Sequence, residues 1–201
     1  LTKKGRLEEQ HFVRMAAFGK LESLQLLLQQ GTSIDSINSQ GLSALIVASF
    51  KGHTQVVDWL LGQGANVRYT TPQEDSALHY ASIKNRPKII EKLVQVGAHI
   101  DQKNQFHLTP LMVATRFGGP EAIQKLIEHG ANINASDNQG WTAIYFAIPR
   151  GRVDIMQLLV KSGAQLDHTD EDKDTPLHIA ANYESTKMVE VLVMHNSPVN
   201  I

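Results

Sequence analysis

Leu126-Ile127-Glu128-His129-Gly130-Ala131-Asn132-Ile133-Asn134 decides how the chain is read, because its parts return at a fixed interval. Gly130 belongs to a comb of Gly31, Gly64, Gly97, Gly130 and Gly163, spaced 33 residues apart. Each glycine follows an apolar pair: Leu27-Leu28, Leu60-Leu61, Leu93-Val94, Leu126-Ile127 and Leu159-Val160. A sixth member carries Asn196 behind Leu192-Val193. Asn is the non-glycine residue that best tolerates the left-handed backbone a helix C-terminus needs, so the exchange keeps the physics. A second comb runs in phase with the first: Phe12, Leu45, Leu78, Leu111, Ile144 and Leu177. Three residues beyond each sits Met15, Ala48, Ala81, Ala114, Ala147 or Ala180. An apolar residue followed three positions later by a small one makes one helical face and lets neighbouring helices come close. Two short helices per unit follow, and no unit of this length buries enough surface alone, so stability must come from stacking.

Working outward, Ser43, Ser76, Thr109, Thr142 and Thr175 stand just before the first helix, where a side-chain oxygen caps unpaired N–H groups; the same cap is expected of every unit. Pro110 and Pro176 fall in the first turn, where a missing N–H costs nothing. Gly19, Gly52, Gly118 and Gly151 separate the two helices of a unit, and polar stretches such as Asn134 to Gly140 join one unit to the next.

Thr175-Pro176-Leu177-His178-Ile179-Ala180-Ala181, Thr109-Pro110-Leu111, Gly52-His53 with Val56-Val57 and Leu60-Leu61, and Gly130-Ala131-Asn132-Ile133-Asn134 together resemble the ankyrin repeat signature. The resemblance spans about residues 8 to 201 and departs from the pattern locally. Ser43-Ala44, Ser76-Ala77 and Thr142-Ala143 replace Thr-Pro, and Glu74 and His107 replace the turn glycine kept at Gly41 and Gly140, so those two hairpins are expected to be shaped differently. It implies an all-α fold: an ankyrin-repeat solenoid of six stacked helix-turn-helix units joined by β-hairpin-like loops. The whole of 1–201 forms one domain, with units at about 5–37, 38–70, 71–103, 104–136, 137–169 and 170–201. In the family His79 and His178, in the Leu-His position, and His53, after the inter-helix glycine, make structural hydrogen bonds. Asn134 and Asn200 match the hairpin asparagine that oxygen-sensing hydroxylases modify in animal ankyrin repeats.

Bulk properties narrow the function. Hydrophobic residues make up 42% and charged residues 19%, a composition that folds rather than stays disordered. The net charge of -1 supplies no field for nucleic acid or anionic membrane. No apolar run approaches the roughly 18 residues a membrane span needs. Cysteine is absent, which removes disulfides, thiolate metal sites and a thiol nucleophile, and is compatible with a reducing compartment. Localisation is therefore expected to be cytoplasmic or nuclear.

The ends differ. Arg14 stands where later units have Val47, Tyr80, Val113, Phe146 and Ile179, and Ser23 where they have Val56, Ile89, Ala122, Ile155 and Met188; polar residues at two stacking positions make the first unit an N-terminal cap. The last unit reads like an internal one, so further repeats are expected beyond Ile201.

No catalytic chemistry emerges. The nine histidines lack zinc-site spacing, and His99, His107, His129, His168 and His195 read as solvated surface. No serine sits on a nucleophile elbow. Gly118-Gly119-Pro120 lacks a phosphate-loop continuation and reads as a lengthened inter-helix turn. Asp167, Asp170, Glu171, Asp172 and Asp174 lack a calcium loop's glycine and closing glutamate and read as a solvated hairpin tip. The chain is expected to be no enzyme and to need no cofactor.

Partners in this family usually dock on the concave side, which hairpin tips and first helices line. On the register above, the positions just after the alanine turn of each first helix hold Ala17-Phe18, Phe50-Lys51, Ile83-Lys84, Arg116-Phe117, Pro149-Arg150 and Asn182-Tyr183. Exposed surfaces seldom place aromatic residues in register. Phe18, Phe50, Phe117 and Tyr183, with Lys51, Lys84, Arg116 and Arg150, are the candidate contacts, and Leu42, Phe106, Leu108 and Trp141 add to them from the hairpins. They fit a protein or peptide of apolar and acidic character bound by a monomeric scaffold or adaptor. A plainer reading has several of the aromatics packing on the neighbouring first helix. Rival roles are the targeting domain of a larger enzyme or bacterial effector, and an inhibitor that occludes a partner enzyme.

Overall fold

A computed structural model describes residues 3–195 of the chain. The first helices of successive units are α1 (Lys3–Ala17), α3 (Ala44–Lys51), α5 (Ala77–Ile83), α7 (Pro110–Phe117), α9 (Ala143–Ala147) and α11 (Pro176–Asn182). The second helices are α2 (Leu21–Gln29), α4 (Thr54–Gly62), α6 (Pro87–Gln95), α8 (Pro120–Glu128), α10 (Val153–Lys161) and α12 (Thr186–Met194). First helices pack on first helices down the array and second helices form a parallel row, which makes an all-α repeat solenoid. None of these helices is long and apolar enough to cross a membrane.

The second comb and the small residues three places beyond it point inward, whereas the glycine comb lies at the surface. Phe12, Leu78 and Ile144 have no exposed surface, and neither do Ala48, Ala81, Ala114, Ala147 and Ala180. Leu60, Leu93, Leu126 and Leu159 from the second helices close the same core. The glycine comb sits at left-handed φ between 83° and 93° throughout, the conformation that ends a helix without the penalty a Cβ would bring. Asn196 and Asn200 lie outside the described residues.

Caps follow the expected positions in part. The side chains of Ser43, Ser76, Thr109 and Thr175 accept N–H bonds from the first turn, but Thr142 makes no such bond. The first unit has Gln10 at this position, and α1 runs straight past it to begin at Lys3, so the cap expected of every unit is missing there. In the fifth unit Pro149 cannot donate to a helical carbonyl, and α9 gives way to a 3-10 turn at Ile148–Arg150. Gly118-Gly119 links α7 to α8 with two residues, as Gly52-His53 links α3 to α4, so this turn has the ordinary length and is not extended.

The hairpins correct a second expectation. In all five, the N–H of the first residue donates to the carbonyl of the fifth, Asn38 to Leu42, Thr71 to Asp75, Asn104 to Leu108, Asp137 to Trp141 and Asp170 to Asp174, at 3.0–3.1 Å. Glu74 and His107 take left-handed φ of 63° and 59°, beside 74° and 82° at Gly41 and Gly140. The turns thus share one shape, while the flanking antiparallel bridge forms at Ile37–Ser43, Thr70–Ser76 and Ser136–Thr142 and not around Asn104–Leu108 or Asp170–Asp174. The side-chain oxygen at the first position accepts two backbone N–H bonds at Asn104 and one at Thr71, and imposes the turn on whatever residue occupies the left-handed place. Glycine is required where the next hairpin comes close: a Cβ on Gly41 would stand 2.5 Å from Pro72, and one on Gly140 2.9 Å from the Asp170 backbone.

Polar bridges tie each unit to the next. His53 Nε2 donates to the Ala17 carbonyl at 3.0 Å. One and three periods later, Arg86 donates to the Lys51 carbonyl and Arg152 to those of Thr115 and Gly118, so each closes the C-terminal end of the preceding first helix. His79 receives the Ser76 N–H at Nδ1 and donates from Nε2 to the Leu108 carbonyl; burial pushes its pKa down and keeps it neutral. His178 takes the Thr175 N–H at Nδ1. His168 is not the solvated loop residue expected. Its Nε2 donates to the Gly140 carbonyl at 2.9 Å, the bond that the Tyr69 hydroxyl makes to Gly41 three periods earlier. Asp170 likewise departs from a solvated tip: it is 6% exposed and receives the N–H groups of Asp172 and Asp174.

At the N-terminal end Arg14 is exposed and Ser23 half-buried, but Leu7 and Leu26 on the same unit are 60% and 55% exposed. The end face is therefore mixed rather than uniformly polar.

Candidate functional site

The candidate residues gather where first helices end and hairpins overhang them, and they form two clusters. In the first, Phe50 at the end of α3 meets Tyr80 of α5 edge-on, ring centroids 5.9 Å apart. Lys84 Nζ lies 4.7 Å from the centre of the Phe50 ring, and Lys51 Nζ lies 5.7 Å away. Leu42 from the hairpin, Val47 of α3 and Val13 of α1 complete the wall of a concavity of about 400 Å³, with Arg14 at its lip. Burial and the Asp75 carboxylate push the Tyr80 phenol up, so its hydroxyl stays protonated at neutral pH.

The second cluster is built around Phe117 at the end of α7. Arg116 and Arg150 hold their guanidinium carbons 5.0 and 4.9 Å from the centre of its ring. Arg116 also lies 6.0 Å from the Phe146 ring. Beside it, Phe106, Leu108, Arg116, Asp137, Gln139 and Phe146 line another concavity of about 400 Å³ between two hairpins.

The strip is continuous in sequence register but not in space. Phe18, 62% exposed, and Tyr183, 53% exposed, stand at the ends of the array without a ring partner among the described residues. Phe106, 60% exposed, overhangs the second concavity from its hairpin tip. Trp141 differs from the free anchor expected of it. Its ring stacks on Tyr145 at 5.7 Å and meets Phe146 at 5.5 Å, and its indole N–H donates to Asp170 at 3.1 Å. It belongs to the joint between hairpins. Phe50 fits the plainer reading in part, since it does pack on the next first helix.

Tyr80 and Phe146 were assigned by register to stacking alone, yet both face the grooves. Arg14 holds the same register position, and a place that accepts Arg beside Val, Tyr, Phe and Ile is one that opens partly to solvent. That was the available signal.

The strip is set apart by cations that rest on rings. Several cations elsewhere are engaged by anions or carbonyls instead: Lys92 pairs with Asp58 at 2.6 Å, Lys125 with Glu128 at 2.8 Å, and Arg86 and Arg152 with carbonyls. The side chains of Lys51, Lys84, Arg116 and Arg150 make neither hydrogen bonds nor ion pairs with the described residues and rest on aromatic rings instead. A cation on a ring keeps its N–H donors available for an incoming anion. Among the described residues no group of His, Asp and Glu side chains is arranged to hold a metal ion.

Comparison with known families agrees with this architecture. A model of ankyrin repeats in three copies matches residues 12–104 and 96–170, and a single ankyrin repeat model matches residues 172–201. A search of curated proteins found no match. Ankyrin repeats are generally protein–protein interaction modules and are typically non-catalytic. With its repeat models covering nearly the whole sequence, the chain belongs to the ankyrin repeat family.

Proposed function

We propose that this chain is a scaffold or adaptor that takes one partner protein along the side where first helices meet hairpins, with Phe50, Tyr80 and Phe117 as apolar anchors and Lys51, Lys84, Arg116 and Arg150 as charge partners. The observation that carries this reading is the set of four cations held on rings with no anion of their own. A partner with apolar and acidic side chains would satisfy both halves of each cluster. We read the module as a monomer of the cytoplasm or nucleus, for which the lack of cysteine gives support.

The test is affinity capture of partners by the chain and by its Phe50→Ala/Arg116→Ala/Phe117→Ala variant. Trp141 is left intact because its indole holds two hairpins together. The variant should lose its partners and keep its melting curve. Leu126→Ala is the contrasting control, since emptying a fully buried site costs about 2–5 kcal/mol without touching the strip. Undiminished capture by the triple variant would refute the proposal.

A further inference from the structure

The two clusters are not equivalent, and their difference specifies the partner. The first concavity is walled by Val13, Leu42, Val47, Phe50 and Tyr80, with Lys51 as its one lysine; it suits a bulky apolar side chain. The second cluster centres on a pair of guanidiniums sharing the Phe117 ring, of which Arg116 also lines the adjoining concavity, and each is a planar fork that matches a carboxylate bidentately. Asp137 lines the same concavity as Arg116, and its Oδ1 is engaged by the N–H groups of Gln139 and Trp141. A guanidinium fork whose concavity already holds one carboxylate suits a singly charged Asp or Glu side chain better than a dianionic phosphate.

Their separation is set by the fold. Phe50 ends α3 and Phe117 ends α7, with α5 packed between them. Neighbouring helix axes stand about 8–10 Å apart, so two steps put the clusters about 16–20 Å from one another. An extended or polyproline segment rises about 3.1–3.4 Å per residue, so that distance corresponds to about five or six residues.

We infer that the strip is a two-point ruler: it takes an extended partner segment whose bulky apolar side chain fills the concavity at Phe50 and Tyr80 while an Asp or Glu about five or six residues away is gripped by Arg116 and Arg150. This rests on the proposed groove function and adds to it the chemistry and spacing of the ligand.

Fluorescein-labelled synthetic peptides test it, each with one Trp and one Glu held apart by a rigid spacer of two to nine prolines, with binding to the 201-residue chain read by anisotropy. Affinity should peak at a separation of five or six, and Glu→Gln in the best peptide should weaken it about ten-fold, the scale of one charge-assisted contact. Arg116→Gln/Arg150→Gln should bind the Glu and Gln peptides alike while still preferring Trp over Ala. Phe50→Ala/Tyr80→Ala should lose the Trp preference and keep the Glu preference, and circular dichroism melts should show both variants folded. A flat dependence on spacing, no binding by any peptide, or a Glu preference that survives in the arginine variant would overturn the ruler. Preference for phosphoserine over Glu at the acidic position would overturn its carboxylate specificity. Peptides that bind the Phe50→Ala/Arg116→Ala/Phe117→Ala variant as tightly as the unaltered chain would instead overturn the groove function itself.

Discussion

Tyr145→Phe isolates a single atom at the joint between the units of α9 and α11. Tyr145 has no exposed surface, and its hydroxyl lies 2.6 Å from the His168 carbonyl and 2.9 Å from that of Asp174. The Asp174 carbonyl also receives the Asp170 N–H, so loss of the hydroxyl leaves one acceptor, at His168, without this partner. The ring remains, stacked on Trp141, and no cavity term enters. One lost buried bond with a stranded acceptor costs about 1–3 kcal/mol. Burial and the carboxylates of Asp170 and Asp174 push the phenol up, so the effect should not vary between pH 6 and 9. In a solenoid each unit is held by its neighbours, so the loss should be local. Amide hydrogen exchange should speed up by about five- to 150-fold over residues 168–195, the conversion of that energy range, and stay unchanged over 44–130. Equal acceleration throughout the array, or none anywhere, would show that the hydroxyl is not what couples these units.

His79 makes stability depend on acid. Burial lowers its folded pKa below the unfolded 6.5, so the unfolded chain binds the extra proton first; the contribution is complete above about pH 6.5 and is lost as pH falls toward the folded value. Urea unfolding between pH 7.5 and 5 should show up to about 1.4 kcal/mol per pH unit of slope that is absent in His79→Gln, and equal slopes would remove His79 as its source. Gly140→Ala should cost more than the roughly 1–2 kcal/mol of a left-handed L-residue, because its Cβ would also meet the Asp170 backbone at 2.9 Å. His107→Gly in the equivalent hairpin should be neutral or stabilising; a neutral Gly140→Ala in the same melts would contradict the close approach.

Much of the fold was legible because solenoid packing writes itself into the chain once per unit. Phe12, Leu45, Leu78, Leu111 and Ile144 are buried as their register requires, and each comb glycine takes the left-handed turn. What single-residue reading missed were bonds whose two ends lie about one period apart. Nothing local at Arg86 or Arg152 shows that its guanidinium closes the preceding first helix, and His168 looks solvated until Gly140 is brought beside it. The hairpins went wrong for the opposite reason. Glu74 and His107 were judged by their own preference for negative φ, whereas the turn is imposed by bonds from the residue three places earlier, Thr71 and Asn104.

The site was half legible on the same grounds. Register placed cations and rings at one repeated position, but which cation rests on which ring is decided between units: Lys84 chooses Phe50 of the preceding helix, and Arg150 chooses Phe117. Each cation thus shields part of the apolar face that stacking leaves exposed. Exposed ring and unsatisfied charge sustain one another without closing each other off. For that reason the strip can stay soluble while keeping both of its binding components available, and a partner that supplies an anion to the cation and an apolar side chain beside the ring replaces water at both together.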